Sequence, residues 1–120
     1  MPDLVRLTEP SADAWAASAY VTAETLRAGD PQEREAVLHA SEDGRFVVSL
    51  WEAQPYTEHI DGYPVDEYVR VVTGTLVLTT DGGAPETYGP GNEVRIPLGW
   101  SGTWEVTEPF RKLSVAYAPS

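Results

Sequence analysis

The sequence predicts an all-β domain, and three observations support this class. Ten glycines and ten prolines in 120 residues are more than a helical bundle tolerates. Apolar side chains recur with a period of two through most of the chain after residue 30, as they do in strands with one buried face. The segments that show this period are short and separated by turn residues, which is typical of a sandwich or barrel with about eight strands.

Length and composition limit the function classes. At 120 residues the chain is predicted to form one domain, and 19 acidic against 8 basic residues give a net charge of -11. Nucleic acid and anionic membranes are therefore not expected as partners. The absence of cysteine excludes disulfides, iron-sulfur clusters and thiolate zinc sites. Without an export signal or a long apolar run, we expect a cytoplasmic protein.

The first 30 residues are predicted to be an extension that precedes a barrel over residues 31–120. Apolar residues from Ala12 to Ala23 recur at helical spacing, which predicts a helix over Ser11–Gly29. Ser11 is a candidate N-cap, and Gly29 is placed to end this helix. The run Asp30–Glu33 has a capping residue, then proline and later glutamate, and predicts one further short helical turn.

The strands of the barrel follow from alternation and turn chemistry. The pair Asp43-Gly44 is typical of a hairpin turn, and Gly74 permits a sharp bend between two segments rich in β-branched residues. The predicted strands are Ala36–Ala40, Arg45–Ala53, Glu67–Thr73, Thr75–Thr80, Glu93–Ile96, Thr103–Thr107 and Lys112–Tyr117.

The alternation of side chains along a predicted strand identifies one carboxylate, that of Glu67, as the main candidate functional group. Glu67 shares a side of its strand with Val69 and Val71, so it points into the barrel if the valines do. An inward carboxylate is a metal ligand, an acid-base group with a raised pKa, or a hydrogen-bonded structural acid. Glu67 is therefore the candidate catalytic residue, and all three roles remain open at this point.

Four sequence blocks resemble the cupin superfamily. They are Glu67 with Gly74, the run Gly91–Gly99, the run Gly99–Val106 and the run Leu50–Ala53. The last two are similar to the cupin domain of (S)-ureidoglycine aminohydrolase. The resemblance covers residues 26–118 and implies a double-stranded β-helix, the cupin jelly roll, which commonly forms a homodimer.

The chain departs from the metal-binding pattern that this resemblance implies. Metal-binding cupins carry a His-x-His pair shortly before the glutamate, but the corresponding positions here are Ile60 and Gly62, or Asp61 and Tyr63. The position of the third histidine is glycine, at residue 102. One carboxylate alone does not hold a transition metal tightly.

Two readings of the cofactor follow from this departure. In one, His59, Asp61 and Glu67 converge at the barrel mouth and bind a divalent metal. In the other, no metal is bound, His59 is a loop residue, and the residues after it form a turn. The sequence favours the second reading, because the usual ligand positions carry no imidazole.

The aromatic residues indicate a binding cavity for a small molecule. The candidate ligand-binding residues are Trp51, Tyr56, Tyr63, Val69, Arg95, Trp100 and Trp104. Two roles compete at some of these positions, because Trp104 also suits a core filler beside Gly102, and Arg95 also suits an outward, solvated strand position.

Three hypotheses about function result, of which the sequence favours the first. The first is a small-molecule-binding protein without a tightly bound metal. The second is a metal-assisted enzyme of the ureidoglycine aminohydrolase type, in which Glu67 is the general acid or base. The third is a dimerisation unit in which Val5, Leu7, Val37 and Leu38 provide an exposed edge.

Overall fold

The structure is a computed structural model that describes residues 2–120. It consists of two antiparallel sheets packed face to face, and this confirms the predicted all-β jelly roll. The strands are β1 (Ala16–Ala17), β2 (Leu26–Gly29), β3 (Arg34–Ala40), β4 (Phe46–Ala53), β5 (Tyr56–Ile60), β6 (Asp66–Thr73), β7 (Leu76–Thr80), β8 (Glu86–Tyr88), β9 (Glu93–Ile96), β10 (Gly102–Val106) and β11 (Phe110–Tyr117).

The two sheets enclose the core between them. The six-stranded sheet has the order β1-β3-β4-β11-β6-β9, and the five-stranded sheet has the order β2-β5-β10-β7-β8. Side chains from the inner faces of both sheets fill the space, and burial of their apolar area stabilises the fold. The largest of the buried core side chains are Trp51, Tyr56, Tyr63, Val69, Val71, Leu76, Leu78, Ile96, Trp104, Val106 and Phe110.

The register of β11 places a polar face toward the core. Lys112 lies opposite Val71 of β6, and Ser114 lies opposite Val69. Paired residues of an antiparallel ladder share a face, so Lys112 and Ser114 point inward with the valines. Glu67 lies on the same inner face of β6 and is 5% exposed. The inward orientation predicted for Glu67 is therefore the one observed.

The predicted helix over Ser11–Gly29 is wrong. This region contains a single 3-10 turn at Ala12–Ala14 and the strands β1 and β2, and the rest is extended or turn. The predicted helical turn at Asp30–Glu33 is also absent from the structure. Within residues 2–120, no helix is long and apolar enough to cross a membrane.

A buried carboxylate explains why this region is extended. Glu33 is 6% exposed and accepts hydrogen bonds from the backbone N–H groups of Tyr20 and Val21, at 3.1 and 2.8 Å. It also accepts hydrogen bonds from Ser18 Oγ and Trp51 Nε1. These tertiary bonds satisfy backbone donors that a helix would otherwise use, so tertiary structure overrides the helix propensity of the alanines.

The sequence predicted the β3–β4 hairpin and the bend at Gly74 correctly. Strands β3 and β4 pair in antiparallel fashion around the Asp43-Gly44 turn, and Gly44 has a positive φ of 71°. Gly74 separates β6 from β7 with a φ of 85°. Its backbone lies so close to the start of β11 that an added Cβ would meet the carbonyl oxygen of Pro109 at 2.4 Å.

We expect Gly74→Ala to lower the free energy of unfolding by about 2 to 5 kcal/mol, as measured by urea denaturation. The positive φ and the collision with Pro109 both contribute to this loss. Gly82→Ala is the matched control, since Gly82 has a φ of 79° but nothing within 4 Å of the added Cβ. It should lose only about 1 kcal/mol, from φ alone. Equal losses in the two variants would contradict the close approach at Gly74.

Candidate functional site

A cavity of about 420 Å³ opens between the two sheets. This volume falls within the range of pockets that bind small molecules. Aromatic rings and buried polar groups both contribute to its walls. The lining includes Trp51, Tyr56, Tyr63 and Trp104, with Glu58, Glu67, Lys112 and Ser114 among the polar residues.

Glu67 accepts three hydrogen bonds inside the barrel. The hydroxyl of Tyr63 donates to Oε1 at 2.5 Å, while Lys112 Nζ and Ser114 Oγ donate to Oε2 at 2.6 and 2.8 Å. The carboxylate is therefore held by donors from the β5–β6 connection and from β11. Of the three roles that the sequence left open for Glu67, this geometry fits that of a hydrogen-bonded structural acid.

Lys112 forms a buried ion pair with Glu67. Its side chain is 8% exposed and that of Glu67 is 6% exposed. Lys112 Nζ also lies 5.0 Å from the ring centroid of Trp51 and 4.7 Å from that of Trp104, within the range of cation-π attraction. Burial alone raises the pKa of Glu67, but the Lys112 charge and the three hydrogen bonds outweigh burial and lower this pKa below its usual value.

Glu58 is a second buried acid in the cavity wall. It lies on β5 opposite Trp104 of β10 and is 7% exposed. Thr25 Oγ1 donates a hydrogen bond to Oε2 at 3.0 Å, and the hydroxyl of Tyr56 approaches Oε1 at 3.4 Å. Burial, with a smaller effect of the Glu33 charge, raises the pKa of Glu58 above its usual value. The two hydrogen bonds and the nearby Lys112 charge offset only part of this rise.

Four of the predicted ligand-binding residues lie together in the cavity wall. Trp104 packs edge-on against Trp51 with ring centroids 6.2 Å apart, and it stacks on Tyr63 at 6.4 Å. Tyr56 completes the group by packing edge-on against Trp51. Trp104 Nε1 is buried and has no hydrogen-bond partner, although buried indole N–H groups usually have one.

The other three predicted ligand-binding residues lie outside this cavity. Val69 is fully buried in the core. Arg95 is exposed and donates hydrogen bonds to Asp66, as expected for the outward alternative. Trp100 donates a hydrogen bond to Thr80 Oγ1 and, with Arg95, lines a separate cavity of about 190 Å³.

The three predicted metal-binding residues are not brought together. His59 points away from the barrel interior, and its Nε2 lies 2.9 Å from Asp81 Oδ1. Asp61 is exposed and accepts a hydrogen bond from Ser101 Oγ. Within residues 2–120, no cluster of three histidine, cysteine, aspartate or glutamate side chains is arranged to hold a metal ion.

The positions at which metal-binding cupins carry ligands hold other groups here. Tyr63 donates a hydrogen bond to Glu67 instead of supplying an imidazole, and Lys112 adds a positive charge beside the same carboxylate. At Gly102, an added Cβ would lie 2.4 Å from Cζ2 of Trp100, so the ring of Trp100 occupies the space of a side chain there. The residues present do not fit a divalent metal.

Sequence reasoning missed Lys112, Ser114 and Glu58. In β11, Leu113 and Val115 alternate with Lys112 and Ser114, so an apolar pattern alone selects the wrong inner face. The one available signal was Phe110, a large apolar residue at the start of the face that Lys112 and Ser114 share. A signal for Glu58 was present, because Tyr56 and Ile60 share its face of β5 and alternate with polar residues, but β5 was not among the predicted strands.

We expect Lys112→Met to lower the free energy of unfolding by about 3 to 5 kcal/mol in urea denaturation, because it leaves Glu67 buried without a charge partner. The double variant Lys112→Met/Glu67→Gln should recover a large part of this loss. Arg111→Met is the matched control on the outer face, where Arg111 pairs with partly exposed acids, and its cost should be about 1 kcal/mol or less. A double variant as unstable as the sum of the two single variants would contradict the ion pair.

The lowered pKa of Glu67 predicts a pH dependence. Its ionisation stabilises the folded protein above the unfolded pKa of about 4.3, and this contribution is lost as the pH falls through the lower folded pKa. The difference in unfolding free energy between wild type and Lys112→Met should therefore be large at about pH 7 and shrink toward about pH 3. Urea denaturation across this range measures it, and a constant difference would contradict the assignment.

The chain is similar in fold to several solved structures. One is a protein of unknown function from Pseudomonas syringae, with a TM-score of 0.79 and 20% identity. The alignment covers 85% of this chain but only 43% of that protein, so this chain spans less than half of it. The EutQ protein of Clostridium difficile has a TM-score of 0.61 and 25% identity, with 72% of this chain and 64% of that one covered.

A cupin superfamily protein from Desulfitobacterium hafniense has a TM-score of 0.59 and 19% identity, over 77% of this chain and 83% of that one. No curated protein matches the chain. The narrower resemblance to (S)-ureidoglycine aminohydrolase stays a prediction. The family model of the EutQ-like cupin domain matches residues 40–113, which is more than half of the sequence. The chain therefore belongs to the EutQ-like cupin family.

Proposed function

We propose that this cupin domain binds a small molecule in the cavity between its sheets, without a metal ion. The observation that carries this proposal is the cavity of about 420 Å³ itself, in which aromatic rings stand beside the partly satisfied carboxylate of Glu58. A buried polar group that lacks hydrogen-bond partners costs about 1 to 3 kcal/mol. A ligand with a hydrogen-bond donor would reduce this cost by bonding to Glu58 while covering the rings of Trp51, Tyr56 and Tyr63.

The Lys112–Glu67 ion pair supports binding without a metal. A divalent cation at Glu67 would have to displace the ammonium group, and the freed charge of Lys112 would remain buried beside it. Lys112, Glu67, Tyr63 and Ser114 form the polar floor of the cavity. The ion pair holds this floor in one arrangement, because each charge fixes the position of the other while Tyr63 and Ser114 fix the carboxylate. A fixed floor favours binding because little side-chain freedom is lost when the ligand enters.

An enzyme of the ureidoglycine aminohydrolase type, with Glu67 as general acid or base, remains the alternative hypothesis. It rests on resemblance, and a fold alone does not define a reaction. A base with a lowered pKa that already accepts three hydrogen bonds is poorly suited to proton transfer. Turnover of ureido or acyl-amide substrates that is lost in Glu67→Gln would favour it over simple binding.

The homodimer and the cytoplasmic location remain predictions. Sedimentation equilibrium at several protein concentrations would test the first, and fractionation of the native host would test the second. Neither outcome alters the proposal for the cavity, because all the residues that carry it belong to one chain.

We expect a screen of small polar metabolites by thermal shift to yield ligands that raise the midpoint of unfolding. The shift should be the same with and without EDTA, because no metal bridges the ligand to the protein. Metal analysis of untagged protein after incubation with Mn²⁺, Ni²⁺ or Zn²⁺ should find only trace metal. Stoichiometric metal that is lost in Glu67→Gln, or a ligand shift abolished by EDTA, would contradict the proposal.

A further inference from the structure

Three carboxylates are buried inside the barrel, and two of them have a full set of partners. Glu33 accepts two backbone N–H bonds, one hydroxyl bond and one indole bond. Glu67 accepts three hydrogen bonds, one of them from the ammonium group of Lys112. Their burial is explained by the structure that they hold together.

Glu58 is the exception. Its carboxylate receives one ordinary hydrogen bond, from Thr25 at 3.0 Å, and a long contact from the Tyr56 hydroxyl at 3.4 Å. An ionised carboxylate accepts about four hydrogen bonds. Of the ion pairs formed within residues 2–120, none includes Glu58. Glu58 is 7% exposed and lines the cavity without an ion-pair partner, since the nearby Lys112 charge, which Glu67 already engages, only partly offsets its burial.

The surroundings of Glu58 favour a positive ligand. Four carboxylates line the cavity against two cations, and Glu67 already engages one of these cations, Lys112. The faces of aromatic rings attract a cation as well, and Lys112 shows this by lying over Trp51 and Trp104. A neutral or anionic ligand would leave Glu58 uncompensated.

We propose that the ligand of this cavity is a small protonated amine and that Glu58 is the residue that binds its ammonium group. The inference rests on the proposed binding function and names the chemical class of the ligand. The amine N–H groups donate to the free lone pairs of Glu58, and the aromatic walls cover the apolar part of the molecule.

The unfolding temperature of the protein without added ligand gives a second test of this proposal. Burial raises the pKa of Glu58, so its ionised form destabilises the folded state once the pH exceeds the unfolded pKa. We therefore expect Glu58→Gln to fold and to unfold at a higher temperature than wild type at about pH 8. Substitution of an acid kept only for structure would instead lower the unfolding temperature.

The test uses three probes of similar shape and different charge: benzylamine, benzyl alcohol and benzoate. Calorimetric titration of wild type should show binding of benzylamine about tenfold or more tighter than that of benzyl alcohol, the gain from a charge-assisted hydrogen bond. Glu58→Gln should remove this preference. Glu35→Gln is the matched control, because Glu35 also lines the cavity but is already engaged by the Tyr20 hydroxyl, and it should keep the preference.

The outcomes separate the two proposals. Equal binding of benzyl alcohol or benzoate by wild type, or a benzylamine preference that survives in Glu58→Gln, overturns the assignment to Glu58 and leaves the binding function standing. Loss of the preference in Glu35→Gln as well would attribute it to the general charge of the cavity, which also overturns the assignment. If neither these probes nor any metabolite of the screen binds wild type, the binding function itself fails.

Discussion

The carboxylate of Glu67, held by Lys112, Tyr63 and Ser114, is the interaction on which the interior of this barrel depends. It joins β6, β11 and the β5–β6 connection across the inner face of one sheet. Because a buried charge is tolerated only with its partner, the pair fixes which face of β11 points inward. The cavity floor is therefore polar, while its walls are aromatic.

The outer parts of the structure support this interior from two sides. Glu33 links the N-terminal segment to Trp51, so that the segment which the sequence suggested as a helix instead closes one side of the cavity. Trp100 fills the space beside Gly102 and hydrogen bonds to Thr80, which closes the barrel where a metal-binding cupin would place a histidine. These contacts leave Glu58 as the buried acid whose carboxylate the fold satisfies least.

The sequence was sufficient to predict the β3–β4 hairpin, the bend at Gly74 and the inward orientation of Glu67, because turn chemistry and strand alternation are local signals. It was insufficient for the N-terminal segment, whose structure depends on bonds to the distant Glu33. The polar face of β11 was also missed, since the stability of an inward Lys112 depends on a partner 45 residues away in sequence. Aromatic residues were a partial guide, and they identified the cavity wall but not its polar floor.

The most direct test is a crystal structure of protein soaked with Mn²⁺. An anomalous difference map, from data collected at an energy where manganese scatters anomalously, locates any bound manganese. We expect the density beside the Glu67 carboxylate to be that of the Lys112 ammonium group, with no anomalous peak there. An anomalous peak coordinated by Glu67, with Lys112 turned away, would contradict the ion pair as the centre of this site.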